Sequence, residues 1–287
     1  MKKTILITGS RGFIGSNLKS KLLAKGYLIS ELSANLGDHA AVAKEVQKTN
    51  PTHVIHLAGI TSPPYYFEHP VETLQINLIA TVNLAETCRG IKGFEQFIFP
   101  SSVAVYAPMT ESKLNEKSKL QPLSSHGIAK MGCEYYLEYL NKVYGFPYTV
   151  LRLPNIYGRE NNNKYFIEKT ISLMLKESAV KLGNPNSVRD WLYIEDALDA
   201  FVRVLENKKA IGETFLLGTA KGHSTKNVAE KIAKLTRFKG KVMWETQKRS
   251  SDSDKIVCNY GKAYKLLGWK PKTGLEAGLK RTIGANK

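Results

Sequence analysis

The sequence predicts an α/β protein: a doubly wound parallel sheet with helices on both faces, followed by a smaller C-terminal α/β lobe. Three observations carry this. In the first half, short β-type runs alternate with segments of helical periodicity, the pattern of βαβ units and of a parallel sheet covered on both faces. A glycine-rich corner joins the first run to the first helical segment. Beyond about residue 153 the alternation loosens into loops, shorter helices and isolated strands. This divides the chain into 1–153, carrying the sheet, and 154–287, a smaller lobe with segments that return to that sheet.

Taken in order, Thr4–Thr8, Leu28–Leu32, Val54–Ala58, Phe97–Pro100 and Tyr148–Leu153 are apolar runs short enough for buried strands. Helical periodicity falls over 13–25, 39–49, 72–89 and 126–143, and in the second lobe over 165–178, 195–207 and 225–236, with Thr214–Leu217 as an isolated strand. Gly26, Gly90 and Gly145 each follow a periodic run and are expected to be left-handed helix stops.

The corner Gly9-Ser10-Arg11-Gly12-Phe13-Ile14-Gly15 lies directly between strand and helix. Gly9 permits the tight turn, Gly12 lets backbone approach a ligand, and Gly15 allows close helix–strand packing. A pyrophosphate is expected on the free N–H groups and positive dipole end of that helix. In this context the triplet points to a Rossmann-type dinucleotide site.

Bulk properties bound the alternatives. The 287 residues suffice for a full core; 43% are hydrophobic and 23% charged, ordinary for a globular protein. Lys and Arg outnumber Asp and Glu by 42 to 25, a formal charge of +17. The basic residues are scattered in nothing longer than pairs, with no zinc-finger or aromatic RNA-binding signature, so no nucleic-acid partner is expected. Cys88, Cys133 and Cys258 are too far apart for a disulfide framework or a metal spacing, and His53, His56, His69 and His223 form no ligand set. The N-terminal apolar stretch is too short for a signal peptide, and no apolar run approaches the roughly 18 residues of a membrane helix. A cytoplasmic protein with no membrane partner is expected.

Further motifs recur in a fixed order: His56-Leu57-Ala58-Gly59; Asn77 within Gln75-Ile76-Asn77-Leu78; Ser101-Ser102-Val103-Ala104-Val105-Tyr106; Leu151-Arg152-Leu153-Pro154-Asn155-Ile156-Tyr157-Gly158; Arg189-Asp190-Trp191-Leu192-Tyr193-Ile194-Glu195-Asp196; and Arg249 with Asp252 ahead of Leu267-Gly268-Trp269-Lys270-Pro271. With a Gly-x-x-Gly-x-x-Gly corner, the chain resembles the extended branch of the short-chain dehydrogenase/reductase superfamily, the nucleotide-sugar epimerases, dehydratases and reductases. The resemblance runs almost end to end. It implies an NAD(P) cofactor contacted by Gly9, Arg11, Gly12, Phe13, Ile14, Gly15, Ser33, Asn35, Leu36, Leu57, Ala58, Gly59, Asn77 and Lys130. It also implies a nucleoside-diphosphate sugar held by Asn155, Arg189, Arg249 and Asp252, the arginines on the diphosphate. Two helices, 72–89 and the one carrying Tyr135, Tyr136 and Tyr139, match the faces on which this family builds a homodimer, although those tyrosines at helical spacing are expected to pack.

Cofactor choice turns on the end of the second strand. An NAD enzyme usually places Asp or Glu there; counting from Gly26, the position holds Ser33, with Glu31 two residues earlier. Serine does not repel a 2′-phosphate and Arg11 could pair with one, so NADP(H) is slightly favoured. The arginine often seen next in NADP enzymes is absent, because Ala34 follows.

The superfamily's proton-transfer tyrosine stands four residues before a lysine, on one helix face. The lysine here is Lys130 and the partner serine Ser102, but the tyrosine position holds His126. Three readings are open: His126 is itself the acid or base, Tyr65, Tyr66 or Tyr106 substitutes, or catalysis is weakened and the protein mainly binds. The Asp-Glu pair that follows the serine or threonine in the family's 4,6-dehydratases is replaced by Val103-Ala104, and its decarboxylases carry Glu where Ala104 stands. Reduction of a 4-keto sugar is therefore expected first, with C4 epimerisation as the alternative.

Overall fold

The computed structural model describes residues 3–109, 111–160, 164–245 and 254–286. Alternate residues of the first strand go to opposite sides. β1 (Thr4–Thr8) sends Ile5 and Ile7 into one apolar layer and Leu6 into the other, as a sheet covered on both faces requires. α1 (Phe13–Ala24), β2 (Leu28–Glu31), α2 (His39–Thr49) and β3 (His53–His56) follow as successive βα units. Next come the short α3 (Pro63–Glu68) and α4 (Pro70–Leu74), a π-helical turn at Gln75–Ile79, α5 (Ala80–Arg89), β4 (Gln96–Ser102), α6 (Ser125–Tyr144) and β5 (Tyr148–Leu153). A sixth strand arrives from far along the chain, and the sheet order is β2-β1-β3-β4-β5 followed by Glu213–Leu216, every neighbouring pair parallel. The order reverses at β1, and ligands bind beyond the carboxyl ends of strands at such a switch point.

The second half adds β6 (Asn155–Tyr157), α7 (Phe166–Lys176), β7 (Ala179–Leu182), β8 (Val188–Tyr193), α8 (Ile194–Glu206), β9 (Glu213–Leu216), β10 (Gly222–Ser224), α9 (Thr225–Thr236), β11 (Lys241–Trp244), α10 (Gly261–Leu267) and α11 (Leu275–Ala285). β10-β8-β6 form a three-stranded sheet and β11-β7 a parallel pair. α8 returns to the first sheet, where Phe201 and Leu205 join Leu18 and Leu22 of α1 in one core. A separate core of Tyr157, Ile167, Ile171, Trp191, Val228 and Leu279 holds the second lobe.

Two expectations are corrected. The periodic segment 72–89 is not uniformly α-helical: a π turn centred on the buried Asn77 interrupts it, and such one-residue bulges concentrate at functional sites. Gly90 is not left-handed (φ −76°); α5 ends in tight turns, Gly90 N–H to Thr87 O and Ile91 N–H to Cys88 O, and the left-handed residue is Gly93 at φ +80°. Gly26 and Gly145 do take positive φ, +81° and +69°.

The junction of β5, α6 and the β4 end is polar and buried. Arg152 donates to both carboxylate oxygens of Glu134 (2.6–3.1 Å), to Tyr106 Oη (2.8 Å) and to Glu116 O (3.1 Å). Removing the guanidinium strands a buried carboxylate, which costs about 3–5 kcal/mol. Arg152→Leu is therefore expected to lower the urea midpoint by that equivalent, and an unchanged midpoint contradicts this role.

Candidate active site

The glycine corner is built by backbone contact. Gly9 sits at φ +66°, where a Cβ would stand 2.6 Å from Ala58 N, and a Cβ on Gly15 would stand 2.1 Å from Gly9 O. Gly12 N–H donates to Gly9 O (2.9 Å) and caps α1 without a side chain, and the first turn of α1 holds no acidic residue. The first-turn N–H groups of a helix lack intrahelical partners, and Gly12, Phe13, Ile14 and Gly15 line a cavity of about 510 Å³. That cavity also takes in Gly9, Leu57, Gly59, Ser101, Ser102, His126, Lys130 and Asn155, so a diphosphate at the corner has space leading to Lys130. This donor set fits a dinucleotide.

Other expected cofactor residues stand differently. Ala58 packs under Gly9, and its N–H goes to Thr8 Oγ1 (3.1 Å). Arg11 is exposed, does not line the cavity, and adds to the pull of Lys19 and Ser10 that holds the Glu31 carboxyl below the usual range. Ser33 lies just past β2, bonded to Glu45 (2.8 Å and 3.0 Å). Asn35 turns the chain by accepting from Gly37 N–H (2.9 Å), with Leu36 half-buried beside it. Asn77 grips the Ile60 peptide, Oδ1 accepting from its N–H (2.7 Å) and Nδ2 donating to its carbonyl (2.8 Å).

α6 is capped by Ser124 Oγ, which accepts from Gly127 N–H (3.1 Å). A Cβ on Gly127 would meet Ala104 O at 2.4 Å. This close approach sets His126 beside the Ser102 strand end. Lys130 donates to Pro100 O (2.7 Å) and lies 4.4 Å from the Phe99 ring centroid, so two of its three donors remain for a ligand in the cavity it lines. Burial lowers its pKa to about 8. Ser102 Oγ accepts from Ala104 N–H (3.1 Å), so its own hydrogen remains to be donated.

His126 is buried, and its ring stacks on Tyr66 at 5.3 Å. Its Nδ1 lies 3.1 Å from Ile60 O. Asn77 Nδ2, a donor only, lies farther from Nδ1 at 3.4 Å; the shorter contact, to a carbonyl that only accepts, favours the tautomer with the hydrogen on Nδ1 and a lone pair on Nε2. Among the described residues Nε2 has no protein partner and is not sealed from the cavities. Burial, then the Lys130 charge, lowers the pKa from 6.5 to about 4, so the ring is neutral at pH 7. Of the tyrosines considered as substitutes, Tyr65 donates to Glu72 (2.8 Å) away from both cavities, and Tyr106 is tied to Arg152 with its pKa pushed up by burial. Tyr66 alone touches His126.

A second cavity of about 300 Å³ meets the first at Thr61, Ser102, His126, Pro154, Asn155 and Tyr165. Arg189 lines it, while its neighbour Asp190 is fully buried and accepts from Thr219, Ala220 and Cys258, a structural role. Arg249 and Asp252 lie outside the described residues. Thr61 and Tyr165, hydroxyls 3.2 Å apart, and Arg159, over the Tyr165 ring at 3.9 Å, were not legible as site residues. They sit outside the quoted motifs, and only the meeting of the lobes assembles them. Tyr136 donates to Glu86 (2.6 Å) and Tyr139 packs against the Tyr136 and Tyr144 rings (5.6 and 5.9 Å) while staying partly exposed, whereas Tyr135 is exposed. Among the described residues no group of three His, Cys, Asp or Glu could hold a metal, and no helix is long and apolar enough to cross a membrane.

Three buried histidines have lowered pKa values: His53 to about 4, His56 to about 3 and His126 to about 4, burial being the main cause in each. Unfolded histidine binds its proton near 6.5, so between pH 6.5 and 4 the unfolded chain holds more protons and stability falls with pH. The melting temperature is expected to drop across that window and His126→Phe to make the drop shallower; a flat profile refutes the assignment of neutral rings.

The comparisons agree with this geometry. A sequence profile of the NAD dependent epimerase/dehydratase family matches residues 5–218. The UDP-glucose 4-epimerase of Thermotoga maritima, solved with UDP-glucose, is 28% identical, with a TM-score of 0.92 and 98% of both chains covered. The UDP-glucose 4-epimerase of Thermus thermophilus, solved with NAD, is 26% identical, with a TM-score of 0.89 and 98% of both chains covered. The dTDP-D-glucose 4,6-dehydratase of Dictyostelium discoideum is 29% identical over 81% of this chain and 62% of its own length. The chain is therefore an enzyme that belongs to the NAD dependent epimerase/dehydratase family, among the extended short-chain dehydrogenase/reductases of nucleotide-sugar metabolism.

Proposed function

We propose that this enzyme is a 4-epimerase of a nucleoside-diphosphate hexose, with the bare Nε2 of His126 as the proton acceptor. The observation that carries the reading is the placement of that ring: it lines both cavities where they meet, with Nδ1 3.1 Å from Ile60 O, which favours Nδ1–H and leaves Nε2 to accept. A group that accepts at rest suits a substrate that enters as an alcohol. The likeness to two UDP-glucose 4-epimerases makes a UDP-hexose the first substrate to test.

The glycine corner would hold the cofactor diphosphate and Lys130 the nicotinamide ribose. When bound, the nicotinamide supplies a hydride acceptor that can return the hydride. His126 takes the C4 hydroxyl proton at Nε2 while Ser102 donates to the same oxygen. The protonated ring, disfavoured by burial and by Lys130, returns that proton readily when the other face of the carbon is reduced. Asn77, by fixing the Ile60 peptide, keeps the lone pair aimed outward. Asn155 and Arg189 would meet the sugar and its diphosphate. With no carboxylate at Val103-Ala104, the site lacks a group for loss of water.

A 4-keto-sugar reductase is the second reading. It is favoured by the short connection after β2, whose Ser33, Asn35, Gly37 and Asp38 are exposed and would let a cofactor exchange between turnovers.

The two separate by product. With UDP-glucose and oxidised cofactor, proton NMR is expected to show the C4 epimer without net change in nicotinamide absorbance. Stoichiometric loss of reduced cofactor with a 4-keto-6-deoxy sugar nucleotide, and no epimer, instead assigns the reductase. Cofactor binding without turnover on any substrate assigns a binding protein. His126→Phe is expected to lower kcat by about 10²-fold or more; unchanged turnover removes the histidine from the mechanism.

We also infer a homodimer. Val71, Ile79, Ile128, Tyr135, Tyr139 and Val143 are exposed on the α4–α5 and α6 faces, an apolar set suited to a second copy. Light scattering is expected to give twice the chain mass of 32.0 kDa, and Tyr135→Arg with Tyr139→Arg to give the monomer; a monomeric parent refutes the dimer.

A further inference from the structure

The second strand ends without the usual acid, yet a carboxylate is present there. Leu32 N–H donates to Ile7 O (3.2 Å), which sets Ser33 level with Thr8 and Gly9 beside the glycine corner. Glu45 reaches this point from α2. Its Oε1 accepts from Ser33 N–H (2.8 Å) and its Oε2 from Ala34 N–H (2.8 Å), and Ser33 Oγ lies 3.1 and 3.0 Å from the two oxygens.

The chemistry follows from counting hydrogens. Both amides that could bind a 2′-phosphate are already donating. The serine hydroxyl spends its one hydrogen on Glu45 and keeps only lone pairs. The strand end thus presents acceptors, which suit the hydroxyls of an adenosine ribose and repel a phosphate. Although burial opposes it, the bonds from Ser33 and Ala34, with the charge of Lys48, hold Glu45 below the usual carboxylate range and keep it ionised. Arg11, the cation expected to pair with a 2′-phosphate, is exposed beside Glu31, which also pairs with Lys19.

We propose that Glu45, acting through Ser33, replaces the missing strand-end acid and makes this enzyme select NAD(H) over NADP(H). This reverses the slight preference for NADP(H) drawn from Ser33 and Arg11 in the sequence, and it rests on the dinucleotide reading of the glycine corner. Glu45 is a specificity residue, remote from the reacting carbon.

The test is binding to the full chain, read by calorimetry with NADH and NADPH separately. The parent is expected to bind NADH at least about tenfold more tightly. Glu45→Gln, which keeps one acceptor oxygen but removes the charge, is expected to narrow the ratio by about tenfold, mainly by strengthening NADPH binding. Glu31→Gln is the control and is expected to leave most of the preference intact. A parent that binds the two equally or prefers NADPH overturns the proposal, as does an unchanged ratio in a Glu45→Gln protein with parental circular dichroism. If Glu45→Gln fails to fold, the parent ratio alone decides. Binding of neither dinucleotide overturns the cofactor reading itself and this proposal with it.

Discussion

The whole site hangs on a backbone contact that leaves no room for a single carbon atom. Gly15 lies so close to Gly9 O that any Cβ would stand 2.1 Å away, and Gly9 is wedged against the Leu57–Ala58 peptide. That wedge joins the end of β1, the start of α1 and the chain just beyond β3. It brings the open amides of α1 to the carboxyl edge of the sheet, where the strand order reverses. The diphosphate position, and hence the place of the rest of a dinucleotide, follows from it.

A second close approach, Gly127 against Ala104 O, does the same for the other end of the cavity. It lets α6 lie against the turn after β4, so His126, Lys130 and Ser102 meet at one wall. The π turn at Gln75–Ile79 serves the same wall from the other side. It presents Asn77 to the Ile60 peptide, and that peptide in turn orients the histidine. A tyrosine offers its proton at the end of a long side chain, whereas histidine must be given a tautomer. The Ile60 carbonyl supplies it.

The polar residues of the two lobes divide their work. Arg152 and Asp190 sit inside motifs that suggest substrate contact, yet Arg152 is saturated by Glu134, Tyr106 and Glu116, and Asp190 by Thr219, Ala220 and Cys258. Both hold backbone in place beneath residues that do reach the cavities. Asn155 and Arg189 line those cavities, one three residues beyond Arg152 and the other beside Asp190.

By itself, the sequence determined the alternating sheet, the glycine corner and the His126–Lys130 spacing. Each rests on short-range stereochemistry: strand alternation, glycine's missing Cβ, and the helical repeat that puts positions four apart on one face. The tertiary structure decided what depends on groups distant in the chain. Helical periodicity over 72–89 gives no sign of the π turn, because the five residues Gln75–Ile79 are too few to establish a period of their own. In the sequence Ser33 is a strand end without an acid, and only the packing of α2, through Val42 and Val46, against Leu6 and Val54 of the sheet brings Glu45 onto it, since hydrogen-bond partners twelve residues apart leave no local signature. The neutral state of His126 likewise depends on burial, which only tertiary packing creates, and the carbonyl its ring meets belongs to Ile60, 66 residues away in sequence.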